Sequence, residues 1–187
     1  MLEKIKITQT EAKRIRKEAV DILMKSGTAI HPFEIKKMEI ADFGLNEIRV
    51  SGAQIITSID TAQIWAKLVI MLPGQTLPEH THPKIDEYAG KEETVQCEWG
   101  KLYRYIPGDP TEFPQVDPPK HRKHTCSVWH ECILNPGDQI TFPPNTPHWF
   151  QGGLGGGVFL SFSTKVVDRE DRCTDPDIQR ETIIVDG

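Results

Sequence analysis

Nowhere in the 187 residues does an apolar run approach the roughly 20 residues that span a bilayer. The start, Met1-Leu2-Glu3-Lys4-Ile5-Lys6, also lacks the apolar stretch of a secretory signal. A cytoplasmic chain with no membrane partner is therefore expected. Positive charge is scarce too: 22 Lys and Arg stand against 27 Asp and Glu, a formal net charge of -5. That balance gives no general attraction to phosphate backbones, so nucleic acid is not an expected partner. There are only four cysteines, Cys97, Cys126, Cys132 and Cys173, too widely spaced for a CxxC zinc or redox site. They read as reduced, mostly buried thiols. With 37% hydrophobic and 26% charged residues the chain is too apolar for a disordered one, and a single domain over 1–187 is expected.

The local patterns point to a mostly β domain. Thr8 and Glu11 have capping-box spacing, and Ala12, Ile15, Ala19, Ile22 and Leu23 recur at helical steps until Ser26-Gly27 supplies a stop. One amphipathic helix over 8–27 follows. Beyond it come short apolar runs separated by turn residues: Ala53–Thr57, Ile64–Met71, Thr94–Tyr105, Ser127–Leu134, Gln139–Phe142 and Val158–Ser163. That rhythm predicts an antiparallel barrel or sandwich. Two segments stand apart. Ile106 to Thr125 is proline-rich and charged, long enough to be functional, and the natural candidate to cover a site. Gly152-Gly153-Leu154-Gly155-Gly156-Gly157 lacks the Lys-Ser/Thr of a phosphate-binding loop and reads as a hairpin connection. The polar tail from Asp168 to Gly187 is left open.

His80-Thr81-His82 is the first constellation with chemistry in it. Strand alternation would point both imidazoles to one face. Glu93 and His148, at strand ends, are two further candidate ligands. Three neutral imidazoles and a carboxylate suit a borderline divalent ion: manganese, iron, zinc, cobalt or nickel.

Gly74, His80 and His82, then Glu93 and Gly100, then Gly137, Pro143 and His148 together resemble the two motifs of the cupin superfamily. The resemblance implies an all-β, cupin-type β-barrel (a double-stranded jelly roll) with the N-terminal helix added. The chain departs from the pattern in places. The gap from His82 to Glu93 is long, which makes Asp86 and Glu87 competing ligands; Glu93 is preferred because only it has Gly100 at the required distance. Asn145 replaces a motif glycine, and Gly152 stands where an Asn is expected; Asn tolerates left-handed turn geometry.

The long gap, together with the strings at 72–83, 90–94, 128–131 and 143–150, resembles the D-lyxose ketol-isomerase family over about 42–176. That resemblance implies a manganese-dependent aldose–ketose isomerase of D-lyxose and D-xylulose, often also of D-mannose and D-fructose. It assigns His80, His82, Glu93 and His148 as metal ligands. A homodimer acting on a small-molecule sugar is the expected assembly. The family tends to carry a Glu on the last barrel strand, facing the metal, where this chain has Ser161. A serine cannot remove a carbon-bound proton, so either the register differs, another group serves, or the reaction is altered.

Isomerisation moves a proton between C1 and C2, and its barrier lies mainly in the charge of the enediolate, which a Lewis-acidic metal lowers. A base and a cation or donor are needed beside it. Lys91, two residues from Glu93, is expected on the same face, and both are candidate catalytic groups. On Ser127–Leu134 the set Val128, His130, Cys132 and Leu134 reads as inward, making His130 a sugar donor or acid/base group and leaving Glu131 in solvent. Trp149, next to His148, is a candidate at the pocket mouth. Two alternatives remain: a non-catalytic sugar-sensing metal cupin, favoured by the missing Glu, and a ferrous cupin dioxygenase.

Overall fold

The computed structural model describes residues 7–164 and 171–186; the opening hexapeptide and Asp168 in the tail lie outside the described residues. A short strand β1 (Ile7–Thr8) leads into helix α1 (Gln9–Ser26), followed by helix α2 (Pro32–Lys36) and strand β2 (Glu39–Ala41). Then come β3 (Ala53–Asp60), β4 (Ile64–Met71), β5 (Thr76–Thr81), β6 (Glu93–Ile106), β7 (His130–Leu134), β8 (Gln139–Phe142), β9 (His148–Thr164), β10 (Arg172–Cys173) and β11 (Ile184–Val185).

Helix α1 starts and stops for the reasons its sequence suggests. Thr8 Oγ1 accepts the Glu11 N–H at 3.1 Å, and Gly27 takes a left-handed φ of 71° as its N–H turns back to Met24 O. Its buried face, Ala12, Ile15, Ala19, Ile22 and Leu23, packs on Ile40, Ile56, Leu68 and Ile70. Each fully buried Ile or Leu there contributes about 1.5–3 kcal/mol.

Two long strands build the barrel. The second half of β9 pairs with β4 (Ile64↔Thr164 to Met71↔Gly157) and with the first half of β6 (Glu93↔Ser163 to Gly100↔Gly157). The first half of β9 pairs with β5 (Leu77↔Phe150, His80↔His148) and with the second half of β6 (Leu102↔Gly152 to Tyr105↔Trp149). Because β6 and β9 each serve both layers, the sheet curls on itself. One layer holds β2, β3, β4 and β8 and the other holds β10, β5 and β7. Ile55, Val69, Val95, Phe142, Phe150 and Phe159 fill the space between them. This is the mostly β barrel with an N-terminal helix that the sequence predicts.

The glycine run is not a hairpin loop. It lies inside β9, at the bend where the strand passes from one layer to the other. Opposite it Gly100 has φ 77°, and a Cβ there would overlap the Gly156 carbonyl oxygen. Side chains are excluded because two backbones meet at the bend.

The proline-rich segment is not a cover for the barrel interior. It lies on the outer face of the layer containing β7, against Tyr103, Tyr105, Val128 and Trp149. Tyr105 and Trp149 stack with ring centroids 3.8 Å apart, and Trp149 Nε1 donates to Val128 O at 2.9 Å. The Tyr105 hydroxyl reaches Val116 O at 2.7 Å and the Glu131 carboxylate. Glu131 also accepts the Gln115 N–H at 2.9 Å, so it is bound under the segment and not free in solvent.

Candidate metal centre

The end of β5 with the residue that follows it, the first residue of β6 and the first residue of β9 meet at one end of the barrel. There His80, His82 and His148 place their ligand atoms within 4.8 Å of one another. Glu93 Oε2 lies 3.4 Å from His82 Nε2 and 3.7 Å from His148 Nε2. The opposite nitrogens are already engaged. His80 Nδ1 bonds Pro78 O at 2.9 Å, His148 Nδ1 bonds Thr146 O at 2.7 Å, and His82 Nδ1 bonds Asp171 Oδ1 at 2.6 Å. A carbonyl only accepts, so Nδ1 carries the proton in His80 and His148 and each Nε2 keeps a lone pair. Nε2 of His82 and of His148 is buried with no hydrogen-bond partner.

Orphaned ring nitrogens converging beside a carboxylate oxygen fit a divalent ion, which needs deprotonated ligands. Burial pushes His80 down to about 4 and His148 well below the usual histidine range, which keeps both neutral. In Glu93 burial favours the neutral form, but the Lys91 ammonium and the adjacent His82 ring outweigh it and hold the carboxyl well below its usual range. Burial likewise opposes charge on His82, and its bond to Asp171 with the negative charge of nearby Glu93 wins, raising its pKa.

Glu93 is gripped at its other oxygen. Lys91 Nζ lies 2.9 Å from Oε1, and the Ser161 hydroxyl donates to the same atom. Lys91 is 6% exposed, which excludes a solvated strand-end lysine. Ser161 faces the centre, so the register that puts a serine at this point of the last barrel strand holds. Asp86 and Glu87 are exposed in a turn closed by the Ile85 and Tyr88 backbone, leaving Glu93 as the carboxylate at the centre. Asn145 takes φ 64°, the left-handed turn geometry open to Asn.

A cavity of about 90 Å³ opens on this cluster, several times the roughly 10–15 Å³ one water needs. Phe43, Ile55, Val69, Phe150 and Phe159 form its apolar wall; Lys67, Lys91, Ser161, Asp171 and Arg180 supply polar groups. His130 and Trp149 are not among the lining residues. Alternation on β7 does turn Leu134 inward, but His130 is at the strand's outer end, where Nδ1 bonds Asp109 O at 3.0 Å. Trp149 is fully buried in the outer cluster, because it alternates with His148 on β9. Lys67, Asp171 and Arg180 escaped the sequence reading. Lys67 is legible only once β4 is registered against Ser161, and Asp171 only once the tail is folded back.

No protein-family model matches the chain. A D-lyxose ketol-isomerase of Thermofilum sp. is 41% identical over 179 residues, covering 96% of this chain and 99% of that protein. A D-lyxose/D-mannose isomerase of Thermosediminibacter oceani is 42% identical over 174 residues, 93% of this chain and 96% of that protein. Among solved structures, the L-ribose isomerase of Cellulomonas parahominis superposes with a TM-score of 0.78 at 15% identity, covering 98% and 100% of the two chains. A mutant of the Acinetobacter sp. DL28 L-ribose isomerase in complex with L-ribose gives 0.78 at 14%, covering 97% and 99%. The structural likenesses show the shared fold, and with identities above 40% over nearly the whole length of both curated relatives the chain belongs to the D-lyxose ketol-isomerase family.

Proposed function

We propose that the chain is a metal-dependent aldose–ketose isomerase that interconverts D-lyxose and D-xylulose, and D-mannose and D-fructose, with His80, His82, Glu93 and His148 as the metal ligands. The observation that carries this reading is the pair of buried, partnerless Nε2 atoms, of His82 and His148, facing Glu93 Oε2 beside a cavity that His80, His82 and Glu93 line and that has room beyond an ion. The names of the relatives supply the aldoses, D-lyxose and D-mannose, and moving the carbonyl to C2 makes D-xylulose and D-fructose their ketoses. Bound there, a divalent ion supplies Lewis acidity to the oxygens of C1 and C2. Three imidazoles and a carboxylate suit a borderline cation, iron, zinc, cobalt and nickel included; manganese is the proposed ion because the resemblance to the family implies it.

The residues around the centre divide the remaining work. Lys91 faces the cavity and offsets negative charge as it develops on the sugar oxygens. Its bond to Glu93, with that of Ser161, fixes the carboxylate so that Oε2 points to the imidazoles. Phe150 and Phe159 exclude water from one side of the cavity. Ile59, Ile64 and Phe162, all exposed on neighbouring strands, support a homodimer. Four thiols, none in a disulfide, accord with the cytoplasm.

Ser161 in place of the barrel-strand Glu is the observation that favours a sugar-sensing cupin instead. A panel of pentoses and hexoses, assayed with added manganese for aldose–ketose conversion and for oxygen uptake, separates the readings. Conversion without oxygen uptake is the expected result. Saturable sugar binding without turnover would favour the sensor, and oxygen consumption the ferrous dioxygenase.

A further inference from the structure

Two of the three imidazoles are oriented by backbone just before them in the chain. His80 and His148 each turn Nδ1 to the carbonyl two residues earlier, Pro78 O and Thr146 O, a contact that needs nothing from the rest of the chain. His82 has no such neighbour. It sits one residue beyond the end of β5, and its Nδ1 is held at 2.6 Å by Asp171 Oδ1, 89 positions away along the chain.

We propose that Asp171 is a positioning residue that sets the tautomer and orientation of His82, so that the metal centre is completed by the segment returning after the last barrel strand. This rests on the reading of His82 as a metal ligand. A carboxylate accepting from Nδ1 leaves the Nε2 lone pair facing Glu93 and makes the ring a stronger donor, as partners behind metal-ligating histidines do. Asp171 is itself largely buried, its side chain 19% exposed, so the bond is shielded from competing water.

The segment bearing Asp171 is fixed independently of the metal. β10, beginning at the next residue, pairs antiparallel with β5, Arg172 opposite Thr81 and Cys173 opposite His80. Behind it the buried Glu79 carboxylate receives Thr174 Oγ1 at 2.6 Å, Ser127 N and Oγ at 2.7 Å each, and Val128 N at 3.2 Å. Glu79 neighbours His80 on the same strand, so one knot ties β5, the returning segment and the residues just after the proline-rich segment together. Asp171 is thereby presented to His82 before any ion arrives.

The test uses the full chain and Mn2+ alone, its free concentration followed by electron paramagnetic resonance, with Co2+ as an absorbing substitute. Asp171→Asn keeps an acceptor but loses the charge, and Asp171→Ala loses both. The expected result is Mn2+ affinity lowered by about 10–100-fold, more in the Ala variant than in Asn, with an altered Co2+ spectrum. The metal-free variants should keep the wild-type circular dichroism spectrum, which separates positioning of His82 from a folding defect. Wild-type binding that both variants preserve would overturn this inference alone. Lost turnover at unchanged Mn2+ affinity would overturn it too, moving Asp171 to proton transfer. Wild-type protein that binds no Mn2+ would overturn the ligand reading beneath it.

Discussion

Lys91 Nζ and Glu93 Oε1 are 2.9 Å apart, and both residues are almost wholly buried. The pair puts a cation within the cavity and a carboxylate oxygen at the metal centre, with Ser161 completing the grip on Glu93. A buried ion pair is costly to break from one side, because the remaining charge loses its partner. Here a bound ion at Oε2 would neutralise that charge, which separates the effect on chemistry from the effect on metal content.

Lys91→Met is therefore expected to lower kcat on the order of 10²-fold, the typical loss of one donor to developing charge, while manganese content stays near that of the wild type. Steady-state kinetics alongside elemental analysis checks this. Unchanged kinetics would make Lys91 an anchor for Glu93 and nothing more.

His148→Ala removes a fully buried ligand candidate whose Nε2 has no other partner. Metal occupancy should fall at least about tenfold, and the rise in melting temperature that Mn2+ gives the wild type should disappear. Calorimetric melting with and without Mn2+ measures it.

Tyr105→Phe deletes the hydroxyl that reaches Glu131 and Val116 O beneath the proline-rich segment. The variant should lose about 1–3 kcal/mol of stability in urea unfolding, the cost of leaving a buried acceptor unsatisfied. Its kcat should stay near wild type, because the segment is strapped to the outer face and lines none of the cavity. A collapse of turnover in a folded Tyr105→Phe protein would restore the segment as a cover.

Gly100→Ala places a Cβ against the Gly156 carbonyl at a φ of 77°. A destabilisation of about 2 kcal/mol or more in urea unfolding is expected, since left-handed backbone alone costs a β-branched-free residue roughly 1–2 kcal/mol and the overlap adds to it.

What could be read from the chain in advance follows the range of the interactions involved. The helix caps, the strand spacing and the His80, His82, Glu93 and His148 cluster are carried by residues at the starts and ends of strands, each at a characteristic spacing from a turn glycine. They were legible for that reason. The glycine run misleads because a strand that bends at a backbone crossing needs the same residues as a turn. His130 misleads because alternation fixes the face of a side chain but not how far along the strand the cavity extends. Asp171 leaves no local trace at all: its partner is 89 positions away, and only the pairing of β10 with β5 brings the two together.

The measurement that bears most directly on the central claim is NMR of D-lyxose incubated in deuterium oxide with the manganese-loaded chain and, in parallel, with the chain stripped by EDTA. The account predicts that D-xylulose accumulates to equilibrium with the loaded protein only, and that re-adding Mn2+ to the stripped protein restores it. D-xylulose formed equally well without metal, or no conversion of D-lyxose or D-mannose by protein shown to hold manganese, would contradict it.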